Sequence, residues 1–181
     1  YYYVHLMEPH SPYQGRGKTV RDRYVGEIAT VDRALGKFLA SLDKAKLRDR
    51  TVVIISADHG EAFGEHGTTW HAVSVYEELL RVPLIVSVPG VAPRAIDTPV
   101  SIIDLPPTIL DVFNLDTPGT FMGQSLVGLM QGRSAPLTRP LVADSGRRMQ
   151  AMVCDDGDKI IRDLRLGTVE LYNLKADPLE L

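Results

Sequence analysis

Cysteine, long apolar runs and an excess of positive charge are all lacking in this sequence of 181 residues. The single cysteine, Cys154, excludes an internal disulfide and a cysteine-rich zinc module. The longest apolar runs, residues 52–56 and 83–89, are far shorter than the roughly 20 residues that a membrane-spanning helix needs. Lys and Arg number 20 against 23 Asp and Glu, a net charge of −3, so nucleic acid is not an expected partner.

Histidine is also lacking from every position after 71. All five histidines lie in the first part of the chain: His5, His10, His59, His66 and His71. This asymmetry directs the search for chemistry to the residues before position 72.

Apolar patterning predicts that strands and helices alternate along the first part of the chain. Strand-like runs occupy residues 1–7, 51–57 and 83–88, and helical patterns occupy residues 20–47, 73–80 and 104–113. The run at 51–57 is β-branched and apolar on both faces, which is typical of a central parallel strand. We therefore expect an α/β layered sheet with flanking helices and parallel connections.

The helix over residues 20–47 has the clearest pattern. Its apolar positions recur every three or four residues and predict one face turned to a core: Tyr24, Ile28, Val31, Leu35, Phe38 and Leu42. Charged side chains off this stripe predict the solvated side: Arg23, Glu27, Arg33, Lys37 and Lys44. Thr19 and Asp22 have the spacing of an N-terminal capping pair.

After about residue 115 the sequence becomes rich in glycine and in short β-like pieces. These pieces, at residues 141–143, 149–154, 159–164 and 168–172, predict a small antiparallel sheet. We accordingly divide the chain into an α/β region over 1–115 and a loop-rich segment with a β subdomain over 116–181.

Asp58 and His59 follow the apolar run at 51–57, and the carboxyl ends of such strands are where open α/β sheets place their ligands. A carboxylate and an imidazole supply one oxygen and one nitrogen ligand, and Gly60 lets the backbone turn sharply behind them. Two ligands do not complete a metal site. In the alternative interpretation, Asp58 caps a loop and His59 is only a polar residue leaving a strand.

The other histidines have different expected roles. His71 is placed to contact an anion bound to the metal, although an isolated loop histidine is usually just exposed. His10 lies in a proline-stiffened loop that follows the opening strand, so it could share the rim with Asp58 and His59. His5 is expected to be a core histidine.

Three neighbours of the Asp58–His59 pair are expected to be solvated rather than ligating: Glu61, Glu65 and His66. We find no nucleophile, because Cys154 is remote from every histidine and is expected to be a buried apolar residue. The segment 134–139, which holds a Ser, a Pro and an Arg, lacks a strand-to-helix context and is rejected as an active centre.

Four segments together resemble the sulfatase family of the alkaline phosphatase superfamily. They read VHLMEPHSPY at 4–13, TVVIISADHGE at 51–61, YEELLRVPL at 76–84 and ELYNLKADPLE at 170–180. Because they run in the right order from end to end, the resemblance covers the whole chain. It implies an alkaline-phosphatase-like layered sheet with flanking helices, followed by the small antiparallel sheet.

The resemblance also implies a sulfuric ester hydrolase with a divalent cation and a formylglycine nucleophile made from Cys or Ser. Carried over by position, Asp58 and His59 are metal ligands, and His10 and His71 are catalytic residues that contact the sulfate or its bridging oxygen. His71 is a departure, since many members have lysine there. The cation is Ca²⁺ in a sulfatase, and Mn²⁺, Mg²⁺ or Zn²⁺ in a phosphate-ester enzyme of the superfamily.

The family's acidic metal-binding pair and its Cys/Ser-x-Pro-x-Arg motif do not occur in these residues. The resemblance therefore implies the C-terminal part of a longer enzyme, which needs its missing N-terminal half and has no sulfate-ester turnover alone. We expect self-association through exposed sheet surface, and by resemblance a periplasmic, secreted or membrane-attached extracytoplasmic location. Two alternatives remain open: a phosphate or phosphonate ester hydrolase or phosphoethanolamine-type transferase, and a noncatalytic module that binds an anion or a protein partner.

Overall fold

The computed structural model describes residues 1–133, 139–146, 148–154 and 156–181. These residues form two compact units. The first comprises residues 1–52 and 88–90, and the second comprises residues 53–87 and 91–181. No described helix is both long enough and apolar enough to cross a membrane.

The first unit is built on helix α1, Val20–Lys44, which confirms the predicted helix but ends three residues earlier. Its capping pair is reciprocal. The Asp22 amide donates to Thr19 Oγ1 at 3.0 Å, and the Thr19 amide donates to Asp22 Oδ2 at 2.9 Å. These hydrogen bonds lower the pKa of the Asp22 carboxyl, because they favour its charged form.

The predicted faces of α1 are partly wrong. Ile28 and Phe38 on the apolar stripe are 42% and 49% exposed, whereas Glu27, expected on the solvated side, is buried. The Glu27 carboxylate accepts hydrogen bonds from the backbone amides of Gln14 and Gly15 at 2.5 and 3.2 Å. A buried carboxylate requires such donors, and periodicity alone does not report loop amides that lie beside a helix.

The opening run is not a strand. Residues 1–7 are exposed and have no regular secondary structure, and no described residue of this unit forms a strand that could pair with them. A β-rich composition produces a strand only where a neighbouring backbone completes the hydrogen bonds. His5 is consequently exposed, and its assignment as a core histidine is wrong.

The second unit begins with β1, Val53–Ser56, which pairs with β4, Leu84–Ser87. The pairing is antiparallel, with Val53 opposite Ser87 and Ser56 opposite Leu84, so the predicted parallel connection between these strands is wrong. Within this pair, the apolar residues of β1 are only half-buried. An apolar run indicates that a strand packs on both faces, but the intervening chain decides its direction.

Two short strands and a short helix lie between β1 and β4. Strands β2, Ala62–Phe63, and β3, Thr69–Trp70, form an antiparallel hairpin. Helix α2, Glu77–Leu80, is shorter than the helix predicted over 73–80. Helix α2 lies beside the segment that leaves the end of β1.

The connection to the C-terminal sheet contains α3, Leu105–Val112, and α4, Val127–Met130. The α3 prediction is confirmed, and two prolines lie in its first turn, where missing amide donors cost little. Asp104 precedes α3 and is completely buried. Its carboxylate accepts from the amides of Ser101 and Gln124, both at 2.8 Å, and from the Arg139 guanidinium at 2.5 Å.

The predicted antiparallel sheet is confirmed. Its strands are β5, Leu141–Asp144; β6, Met149–Val153; β7, Asp158–Asp163; and β8, Val169–Asn173, in that spatial order. One face is buried on a core of Val75, Tyr76, Met149, Ala151 and Ile161. The strand register aligns an apolar row across the sheet, formed by Val142, Met152, Ile160 and Leu171.

Candidate metal and anion site

The candidate site begins where the chain leaves β1. The Asp58 side chain is 77% exposed, and its Oδ1 accepts a hydrogen bond from the His59 amide at 3.1 Å. Its Oδ2 lies 3.8 Å from His59 Nε2, and the His59 side chain is 41% exposed. Both predicted metal ligands therefore offer a donor atom at one accessible position.

The imidazole of His59 has a defined orientation. Its Nδ1 lies 2.8 Å from the carbonyl oxygen of Gly60. Because a carbonyl oxygen only accepts, Nδ1 carries the hydrogen, and the neutral ring has its lone pair on Nε2. Nε2 is the atom that lies beside the Asp58 carboxylate, as a metal-binding imidazole requires.

Gly60 is packed directly against α2. Its amide donates to the carbonyl oxygen of Leu79 at 2.8 Å. A Cβ atom at this position would lie only 2.0 Å from the carbonyl oxygen of Glu78, so only glycine fits without displacing the backbone. The position of α2 thus determines where the Asp58–His59 pair lies.

His71 lies against the same pair. Its ring stacks on that of His59, with 4.3 Å between centroids and 23° between planes. Its Nδ1 is 3.3 Å from both carboxylate oxygens of Glu61. The Glu61 side chain is only 6% exposed, so the prediction that it is solvated is wrong. A contact between residues ten apart in a loop has no periodic signal in the sequence.

His66 was also predicted to be solvated, and it is instead enclosed. Its Nδ1 lies 3.1 Å from Glu78 Oε1, its Nε2 lies 2.9 Å from the carbonyl oxygen of Glu180, and its ring stacks on Tyr76. Burial alone would lower the pKa of His66, but the Glu180 carbonyl and the Glu78 carboxylate outweigh it and raise the pKa above 6.5. Both ring nitrogens face acceptors, which suits the protonated ring.

Comparison with known proteins identifies the family. The model of the family described as Sulfatase matches residues 1–115. The chain belongs to the sulfatase family. Choline-sulfatase from Rhizobium meliloti (strain 1021) is 30% identical over 167 residues, which is 89% of this chain and 32% of that protein.

Two solved structures show the fold of this sulfatase-family chain. BT4656, solved in complex with its substrate D-glucosamine-2-N,6-O-disulfate, matches 89% of this chain and 35% of its own, with a TM-score of 0.71 and 29% identity. The phosphonate monoester hydrolase SpPMH from Silicibacter pomeroyi matches 87% of this chain and 35% of its own, with a TM-score of 0.78 and 23% identity. The predicted layered fold with its C-terminal antiparallel sheet is confirmed, and the chain spans about a third of the length of these proteins.

The other residues singled out in this sulfatase-family chain include His10 and Cys154. His10 belongs to the first unit, where its Nδ1 is 2.7 Å from the carbonyl oxygen of Ser11, and its role stays a prediction. Cys154 is half-buried rather than buried. Of the rejected segment 134–139, the residues 134–138 lie outside the described residues.

The described part of this sulfatase-family chain contains no group of three metal-binding side chains. The Asp58–His59 pair nevertheless fits two coordination positions of one divalent ion, because a carboxylate oxygen and a correctly oriented imidazole nitrogen are 3.8 Å apart and accessible. Further ligands are needed to complete such a site.

Proposed function

We propose that the complete gene product is a metal-dependent sulfuric ester hydrolase, to which this chain contributes half of the metal and sulfate site. The observation that carries the proposal is the orientation of His59. His59 Nδ1 lies 2.8 Å from the carbonyl oxygen of Gly60, to which it donates, and His59 Nε2 lies 3.8 Å from Asp58 Oδ2. Membership of the sulfatase family supplies the class of reaction.

Asp58 and His59 would hold the divalent ion, Ca²⁺ in a sulfatase and Mn²⁺, Mg²⁺ or Zn²⁺ in a phosphate-ester enzyme. When bound, this ion would polarise the ester and activate the nucleophile. The relatives are about three times as long as this chain. We therefore infer that the remaining ligands and a formylglycine nucleophile belong to parts of the gene product outside these 181 residues.

His71 and His10 would act on the sulfate ester. The Glu61 carboxylate fixes the His71 ring through Nδ1, and stacking on His59 keeps that ring beside the metal-binding pair. A protonated His71 in this position would stabilise charge on the sulfate oxygens or protonate the departing oxygen. His10 would contact the sulfate or its bridging oxygen.

The test is hydrolysis of p-nitrophenyl sulfate by the complete gene product, together with calorimetric titration of Ca²⁺ and Mn²⁺. Asp58→Ala should weaken metal binding and lower the rate by at least about 100-fold, beyond the 10–100-fold typical of outer-shell partners. Asp116→Ala removes another exposed carboxylate from a loop of the same unit and should change neither quantity. Equal metal affinity and rate in the two variants would refute the assignment.

A phosphate or phosphonate ester hydrolase or phosphoethanolamine-type transferase is the second candidate, because an Asp–His donor pair also suits Mn²⁺ and Zn²⁺. Parallel assays with p-nitrophenyl phenylphosphonate and p-nitrophenyl sulfate distinguish the two. Faster hydrolysis of the phosphonate ester than of the sulfate ester, still dependent on Asp58, would favour this second candidate. Metal or anion binding with no turnover of either ester would instead favour the noncatalytic module.

Two further expectations belong to this proposal. The 181 residues alone should not hydrolyse sulfate esters, because half of the metal and sulfate site would be missing. Turnover by this chain alone at enzyme-like rates would contradict that. The resemblance to sulfatases supports an extracytoplasmic location, which fractionation of cells that express the tagged complete gene product would test.

A further inference from the structure

Glu180, which lies in the segment that follows β8, is buried and makes contacts in three directions. It is only 2% exposed, and its backbone has a left-handed φ of 56°. Its Oε2 accepts a hydrogen bond from the Glu77 amide at 2.6 Å, and its Oε1 lies 2.7 Å from Lys159 Nζ. Its carbonyl oxygen lies 2.9 Å from His66 Nε2. A carboxylate this deeply buried needs partners such as the Glu77 amide and the Lys159 ammonium.

Lys159 ties the same cluster to the C-terminal sheet. Its side chain is fully buried on β7, and its Nζ donates to Glu77 Oε1 at 2.9 Å while it pairs with Glu180. One ammonium thus lies between two carboxylates. Glu77, the first residue of α2, is bound through both its backbone amide and its side chain.

Helix α2, which Glu180 and Lys159 bind at Glu77, also contacts the turn beside the Asp58–His59 pair. The helix has only four residues, and so short a helix has little stability of its own. Its second and third residues, Glu78 and Leu79, are the ones that contact Gly60 through their carbonyl groups. Glu78 also binds His66, which Glu180 holds from the other side.

We propose that Glu180 is a positioning residue that holds α2, and through Gly60 the Asp58–His59 pair, in the geometry for metal binding. This inference rests on the proposed function. Glu180 touches neither Asp58 nor His59. It acts through its contacts with Glu77 of α2 and with His66, which binds Glu78. The outer partners of metal ligands typically change metal affinity 10–100-fold when they are removed.

The experiment compares Glu180→Ala with Asp163→Asn in the complete gene product. Asp163 is a matched control, because it is another buried acidic residue of this region, at the far end of β7, and it binds the Arg165 and Leu166 amides rather than α2. Two quantities are measured under conditions where both variants are folded: hydrogen exchange of the Gly60 amide, and Mn²⁺ affinity by calorimetry.

Glu180→Ala should speed Gly60 exchange and weaken Mn²⁺ binding, each by about tenfold or more. Asp163→Asn should lower the unfolding temperature yet leave both quantities within about twofold of wild type. If Glu180→Ala does not fold, Glu180→Gln is used. Glutamine keeps an acceptor for the Glu77 amide and removes the charge that faces Lys159. The Gly60 exchange rate and the Mn²⁺ affinity should then each change by about threefold.

Identical Gly60 exchange and Mn²⁺ affinity in the Glu180 and Asp163 variants would overturn the inference. Failure of the proposed function has a different signature. In that case the wild-type protein would bind Mn²⁺ no better than Asp58→Ala, while Gly60 exchange would still report whether Glu180 holds the turn.

Discussion

Replacing Lys159 with methionine should destabilise the second unit, because it removes the counter-ion of a buried carboxylate. The Lys159 side chain is fully buried, as is that of Glu180, whereas that of Glu77 is 20% exposed. Breaking a buried ion pair typically costs about 3–5 kcal/mol. Glu180 keeps its hydrogen bond from the Glu77 amide and Glu77 reaches solvent, so we expect the lower end, about 3 kcal/mol.

Methionine matches the length of the lysine stem and has no charge, so the loss reports the ion pair rather than a cavity. For a chain of 150–250 residues, 1 kcal/mol shifts the unfolding temperature by about 2–4 °C, which predicts a decrease of about 6–12 °C. Urea unfolding followed by circular dichroism measures the free energy of unfolding, and calorimetry measures the temperature.

The double variant Lys159→Met/Glu180→Gln is the control. Removing both charges should cost less than the sum of the two single changes, by roughly 0.5–3 kcal/mol, the range for residues in direct contact. A stabilising ion pair is refuted if Lys159→Met stays within about 1 kcal/mol of wild type, or if the two single effects add to within about 0.3–0.5 kcal/mol.

Three further predictions concern other parts of the second unit. Gly60→Ala should destabilise the folded protein by about 1–3 kcal/mol in urea unfolding, because its Cβ would overlap the Glu78 carbonyl; unchanged stability would show that the turn has room. The raised pKa of His66 predicts that the wild-type protein has a larger free energy of unfolding than His66→Gln below the ordinary pKa of 6.5. This difference should shrink as the pH rises through the raised pKa, and a difference that is the same at every pH in urea unfolding would contradict the prediction. Leu171→Lys should reduce self-association in light scattering, since Leu171 is 75% exposed on the apolar row, and a monomeric wild type would contradict the premise.

Local patterns predicted the elements that depend on local interactions. Helix α1 and its capping pair follow from apolar spacing and from Thr19, and α3 follows from its helical pattern. The four strands of the C-terminal sheet follow from short β-like pieces between turns. In each case the residues that produce the element lie within it or close to it in the sequence.

The errors concern residues whose environment is set by distant chain. Residues 1–7 have strand composition but no strand partner among the described residues of their unit, and the direction of β1 depends on β4. Glu27 is buried because loop amides reach it. Composition and periodicity do not report these partners.

The candidate site shows the same division. Asp58, His59 and Gly60 are adjacent in sequence, so their shared role could be predicted from residue type and from their place after a strand. His66 and Glu180 are 114 residues apart. Their contact could not be predicted from spacing, although Glu180 lies in a segment that resembles the family.

The separation of Glu180 from its partners also has a consequence for the order of folding. Its contacts with Glu77 and His66 close loops of 103 and 114 residues, whereas α1 needs only neighbours in sequence. At about 5–20 residues per second, the ribosome takes roughly 5–25 s to reach residue 180 after it has made the Asp58–His59 pair. The Asp58–His59 pair is therefore synthesised well before Glu180. We expect the final geometry of the pair to be among the last features of the second unit to form.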